Sequence, residues 1–194
     1  MNYDGCAHWA YPVSNGMEEI LKIEDKNNEK FLRQKTVKFE FKEHSLKELK
    51  ALVKSMRETM KRADGVGLSA NQIGLPFRMF VAQVADANGK PKFYAIFNPE
   101  ITKITTEMEI LEEGCLSVPE VWGPVERHYR LTLAGEDING KKIKIKAWGL
   151  LARVFQHEMD HLNGGLFIDK AHELRKKPAS DRLVAREERL KDKN

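Results

Sequence analysis

The chain has 194 residues, of which 41% are hydrophobic and 32% charged. That is enough for one domain with a sizeable core and too few for two ordinary ones. No apolar run approaches the roughly 18 residues of a membrane span, so no insertion into a bilayer is expected, and two cysteines, Cys6 and Cys115, do not make a disulfide framework. The formal net charge is +4, and nine Lys/Arg against five Asp/Glu between Lys170 and Asn194 account for the whole surplus. Without an aromatic residue in that tail, a sequence-specific nucleic-acid reader is not indicated.

Residues 1–17 are polar and turn-rich with no period, and form an amino-terminal segment of unknown role. Asp4, Glu18, Glu19, Glu24, Asp25 and Glu29 break up the first thirty residues, which argues against a targeting peptide and for a cytoplasmic location. Ser45 and Glu48 have capping-box spacing, in which each side chain satisfies a free backbone donor of the other. Leu46, Leu49, Val53, Met56 and Met60 then recur at helical steps, predicting an amphipathic helix to about Arg62.

After that helix comes GVGLSANQIG, Gly65 to Gly74. It lacks a third glycine in GxGxxG register and any Gly-Lys-Ser/Thr, so a phosphate loop is excluded. A loop that lays a peptide backbone beside Val66 and Gly67 is the better reading, with a plain turn as the alternative. Met79–Val84 and Phe93–Phe97, ending at Pro99, predict a hairpin about Asn88-Gly89, and residues 101–111 are β-prone. Leu131–Ala134 and Ile143–Ala147 predict a second hairpin about Asn139-Gly140, its second strand alternating as KIKIKA with one wet face.

The run Leu150, Arg153, Val154, His157, His161 then marks one face of a helix. On it, His157 and His161 stand one turn apart, and Glu158 lies about 100° round the axis. Two imidazoles so placed can hold one metal, with the glutamate within reach of a water beside it as general base. Two solvated histidines are the bland alternative. Between the strands, Cys115 follows Gly114 in EEGCLSVPE. A thiolate with two imidazoles makes a three-ligand site with one position open, whereas a buried inert thiol is the alternative. Strands first and a helix after predict an α+β fold, with antiparallel β-sheets packed around a central helix that carries HExxH.

Three stretches together, GVGLSANQ (Gly65 to Gln72), EGCLS (Glu113 to Ser117) and QHEMDHLNG (Gln156 to Gly164), resemble the peptide deformylases, in the order and at the separations of that family. The likeness spans a catalytic domain over residues 18–170 and leaves 171–194 as a basic, charged tail expected to be helical. The family's usual alanine after Gly-x-Gly-Leu is Ser69 here. The resemblance implies that Cys115, His157 and His161 bind the metal, that Glu158 is the acid/base, and that the Gln72 amide and the Leu116 N–H stabilise the oxyanion. Val66, Gly67 and Gly114 would pair with the substrate main chain, and Leu150 and Val154 would line a methionine pocket.

The implied reaction is removal of the N-formyl group from the amino-terminal methionine of new polypeptides, releasing formate. The implied cofactor is one divalent ion, Fe2+ first and Zn2+ next, with Ni2+ and Co2+ suited to the same ligands. The implied partners are formyl-methionyl nascent peptides and, through the tail, the ribosome. A zinc endopeptidase shares His-Glu-x-x-His, but its third histidine would fall at Phe167. A non-catalytic module with a structural metal would want a fourth ligand, for which His128 is the one candidate.

Overall fold

The computed structural model describes residues 18–86 and 88–177. The amino-terminal segment 1–17 and the tail from residue 178 onward lie outside the described residues.

Helix α1 (Lys26–Leu32) is capped by the Asp25 carboxylate, which accepts from the backbones of Asn27 and Asn28; no sequence pattern had marked it. Helix α2 (Leu46–Arg62) starts at Ser45 with the full reciprocal capping box, as the sequence predicts. Eight strands follow: β1 (Gly67–Ser69), β2 (Met79–Ala85), β3 (Pro91–Ile104), β4 (Met108–Cys115), β5 (Val118–His128), β6 (Arg130–Glu136), β7 (Lys142–Trp148) and, after helix α3 (Gly149–Leu162), β8 (Arg175–Lys176). They form a five-stranded antiparallel sheet in the order β1-β2-β3-β6-β7 and a three-stranded one in the order β4-β5-β8.

Alternation along β2 decides the layering. Met79 and Val81 point to one face, where Leu49, Leu52, Met56 and Met60 of α2 cover them. Phe80, Ala82 and Val84 point to the other, against Ala152, Val154, Phe155 and Met159 of α3. One face of α3 therefore rests on the larger sheet. Its opposite side, carrying Arg153, Gln156, His157 and Asp160, bonds to β4 and β5 of the smaller one. The expected α+β architecture around a central HExxH helix is what forms.

One strand expectation is corrected, and one strand carries no sequence signal. β3 does not stop at Pro99: the register shifts between Phe97 and Glu100, so the proline sits at a bulge, where its missing N–H breaks no ladder bond. Asn98 holds the bulge at φ +47, with its side chain bonded to the Phe39 backbone and to Glu136. β5 was not foreseen, because Pro119, Gly123 and Pro124 interrupt any period. The described start of the tail, residues 171–177, is not helical either, since Arg175 and Lys176 pair with Trp122 and Val121.

Helix α3 must turn away sharply at its end, and Gly164 does this at φ +80, where a Cβ would lie 2.3 Å from the Arg33 carbonyl oxygen. Gly164→Ala combines a left-handed backbone with a backbone clash. A loss of about 1–3 kcal/mol or more in urea unfolding is expected, and an unchanged midpoint would show that the α1–α3 contact is not tight.

Candidate active site

Cys115 ends β4 at a register shift, and the short connection to β5 turns its thiol toward α3. Its Sγ lies 3.1 Å from Nε2 of His161. The rings of His157 and His161, one turn apart, have centroids 5.1 Å apart. One ligand atom from each of Cys115, His157 and His161 lies within 4.8 Å of the others, and among the described residues no other His, Cys, Asp or Glu joins them. A thiol and two imidazoles converging with no fourth protein ligand is the donor set of an open metal site. Burial alone would push the Cys115 thiol up, but His161 and His157 pull it well below its ordinary value, toward the thiolate that metals bind.

His157 is held from behind by a buried carboxylate on the strand that carries Cys115. Glu113, two residues before Cys115, takes a forked pair of hydrogen bonds from Nε and Nη2 of Arg127 at 2.9 and 2.8 Å, and a third from Nη1 of Arg153 at 2.8 Å. Its Oε2 also meets Nδ1 of His157 at 3.0 Å. Burial would raise the Glu113 carboxyl, but the bonds from Arg127 and His157 win and hold it far below the usual carboxylate range. An anion there makes Nδ1 of His157 the donor and leaves Nε2 as the nitrogen that could take a metal.

The GVGLSANQ stretch supplies the other wall. Gly67–Ser69 is a short edge strand, and a tight 3-10 turn over Ala70–Ile73 returns the chain beneath α3. Asn71 donates to the His161 carbonyl at 2.7 Å, tying this turn to the helix end. The Gln72 side chain accepts from the Ser69 N–H at 2.9 Å through Oε1, which aims its Nε2 at Ser117 Oγ, 3.1 Å away, and at Cys115 Sγ, 3.6 Å away. Glu158 is 3% exposed, and its Oε2 accepts from Ser69 Oγ at 2.6 Å. Burial pushes its carboxyl up, toward the range of a general base.

Every sequence-predicted site residue except His161 lines one cavity of about 320 Å³: Val66, Gly67, Gln72, Gly114, Cys115, Leu116, Leu150, Val154, His157 and Glu158. His161 lies just behind, 1% exposed. His128 is elsewhere, with Nδ1 on the Thr105 carbonyl, and Phe167 is packed in the core, its ring stacked 6.3 Å from that of His157. Sequence reasoning missed Glu113, Arg127, Ser69 and Ser117. One signal was available: Arg153 falls in register with the apolar face of α3, and a cation buried there requires an anion.

Removing Glu113 would take from Arg127 and Arg153 the carboxylate they share, leaving Asp160 to Arg127 and the more distant Glu109 to Arg153. Glu113→Ala is expected to cost about 3–5 kcal/mol and to weaken metal binding by roughly 10–100-fold, read by chemical unfolding and metal analysis. Loss of neither would mean that the network is dispensable.

Known proteins share this sequence and fold. The family model described as polypeptide deformylase matches residues 17–177. A peptide deformylase of Bartonella quintana is 42% identical over 153 residues, covering 78% of this chain and 85% of the relative. The crystal structure of peptide deformylase from Thermotoga maritima superposes with a TM-score of 0.69 at 38% identity, covering 81% of this chain and 99% of that one. A Met-Ala-Ser-bound class I type b peptide deformylase from Acinetobacter baumannii superposes with a TM-score of 0.72 at 29% identity, covering 79% and 98%. The chain belongs to the polypeptide deformylase family, the hydrolases that remove the N-formyl group from an amino-terminal methionine.

Proposed function

We propose that in this deformylase Cys115, His157 and His161 hold one divalent ion, while Glu158, Gln72 and Leu116 carry the hydrolysis. The observation behind this reading is the convergence of the three ligand atoms within 4.8 Å, on a cavity that Gln72, Leu116 and Glu158 also line. A divalent ion bound there supplies Lewis acidity, which polarises a carbonyl oxygen and makes water nucleophilic near neutral pH. Fe2+ comes first on family resemblance and Zn2+ second, with Ni2+ and Co2+ compatible with the same donors.

The chain's own groups then divide the work. Glu158, buried with a raised affinity for protons, takes a proton from water as the water oxygen bonds to the formyl carbon. The Gln72 Nε2 and the Leu116 N–H stabilise the negative charge that gathers on the formyl oxygen. Glu158 returns the proton to nitrogen as the carbon–nitrogen bond breaks, giving formate and a free amino terminus. Val66, Gly67 and Gly114, on the two facing walls, pair with the substrate main chain as an added strand. Leu150 and Val154 pack the methionine side chain.

The substrate is the formyl-methionyl end of a nascent peptide, which places the work in the cytoplasm. Among the described residues no helix is long and apolar enough to cross a membrane. The basic tail is the element proposed to meet the ribosome, and its surplus of cations supports that role. The tail begins as part of the fold, with Lys176 in β8 and Lys177 bonded to Glu112 on the cavity wall. A truncation that tests the tail should therefore retain Lys177.

Three outcomes are expected. Cys115→Ala should lower bound metal and formate release together, and a variant that retains full metal would remove Cys115 from the ligand set. Glu158→Ala should keep its metal yet lose about 10²–10⁴ in turnover on a formyl-Met peptide; internal peptide cleavage exceeding deformylation in the parent enzyme would favour a peptidase instead. Ending the chain after Lys177 should leave activity on small peptides unchanged and weaken ribosome co-sedimentation in a salt-sensitive way, whereas equal co-sedimentation would place the contact elsewhere.

A further inference from the structure

Ser69 stands between the two polar side chains on which the proposed chemistry depends. It is fully buried. Its backbone N–H holds the Gln72 carboxamide by Oε1, and its hydroxyl lies 2.6 Å from Glu158 Oε2 and 3.2 Å from the Glu158 carbonyl oxygen. A hydroxyl has one proton, and the shorter distance and the negative charge assign it to the carboxylate. The other carboxylate oxygen, Oε1, rests over Gly67, where a Cβ would come within 2.2 Å of it. Gly67 itself lines the cavity. The carboxylate is thus tied through Oε2 to Ser69, with Oε1 beside Gly67 on the cavity side.

We propose that Ser69 is a positioning residue for hydrolysis: its hydroxyl locks the Glu158 carboxylate so that Oε1 is the atom that carries the proton between water and the departing amine. Without that bond the carboxylate can rotate about its last side-chain torsion, which has a broad, roughly two-fold profile. Neither oxygen is then held at the cavity. The role rests on Glu158 being the acid/base. It is separate from metal binding, because Ser69 contacts none of Cys115, His157 and His161 by hydrogen bond.

The test is a double-mutant cycle on the metal-loaded full chain with a formyl-Met peptide, read as kcat and KM separately alongside metal content and thermal unfolding. Ser69→Ala is expected to lower kcat roughly tenfold, between the loss of a single hydrogen bond and that of a misplaced catalytic group, with KM and metal content unchanged. In a Glu158→Ala background the same substitution should lower kcat no further. Ser69→Cys, of similar size with a weaker donor, should fall between serine and alanine, and it makes the same comparison should the alanine variant fold poorly. An unchanged kcat in Ser69→Ala, an effect confined to KM, or an equal loss in both backgrounds would overturn the positioning role. Full activity in Glu158→Ala alone would overturn the acid/base reading and Ser69's role with it, which distinguishes the two failures.

Discussion

The buried Glu113 carboxylate is the constraint on which the rest of the site depends. It lies on β4 and is bonded by Arg127 of β5 and by Arg153 and His157 of α3. Asp160 of α3 meets the far side of Arg127, so two anions and two cations sit in one junction between sheet and helix. Charges taken out of water are costly unless each finds partners of good geometry, and here the forked Arg127 pair and the 2.8 Å Arg153 bond supply them. The arrangement admits little sliding of α3 along β4.

This junction also aligns the atoms of the candidate metal site. Cys115 is two residues beyond Glu113 on the same strand, and His157 bonds Glu113 directly from the helix. One side chain therefore sets the distance between the thiol and the first imidazole and selects which ring nitrogen is free. The second imidazole is placed by the helix itself, a turn further on, with Asn71 securing that end through the His161 carbonyl. Residues outside the Cys115, His157 and His161 cluster thus hold it to a geometry that the motif alone does not specify.

The two walls of the cavity come from different sheets. Gly67 belongs to the edge strand of the larger sheet, and Gly114 and Cys115 to β4 of the smaller one. A side chain at Gly67 would occupy the space of the Glu158 carboxylate, so that glycine is required by close approach. At Ser69 the sequence showed only a serine where the family usually has alanine. The fold makes it a contact of Glu158.

What the sequence determined by itself was local. The capping box at Ser45, the faces of α2 and α3, both Asn-Gly hairpins and the one-turn spacing of His157 and His161 depend on residues a few positions apart, whose periods are set by backbone geometry. The three motifs also picked out residues that the fold brings together around one cavity. Sequence did not reveal β5, whose prolines and glycine hide its alternation, or the passage of β3 through Pro99 at a bulge. Nor did it reveal the partners of Arg153 and Glu113, 40 residues apart, or those of Ser69 and Glu158, 89 apart. Such pairs leave no periodic trace, because nothing in either segment depends on the other until the sheets close around α3. Burial then removes water as the alternative partner, and only the packed structure decides which polar groups must satisfy one another.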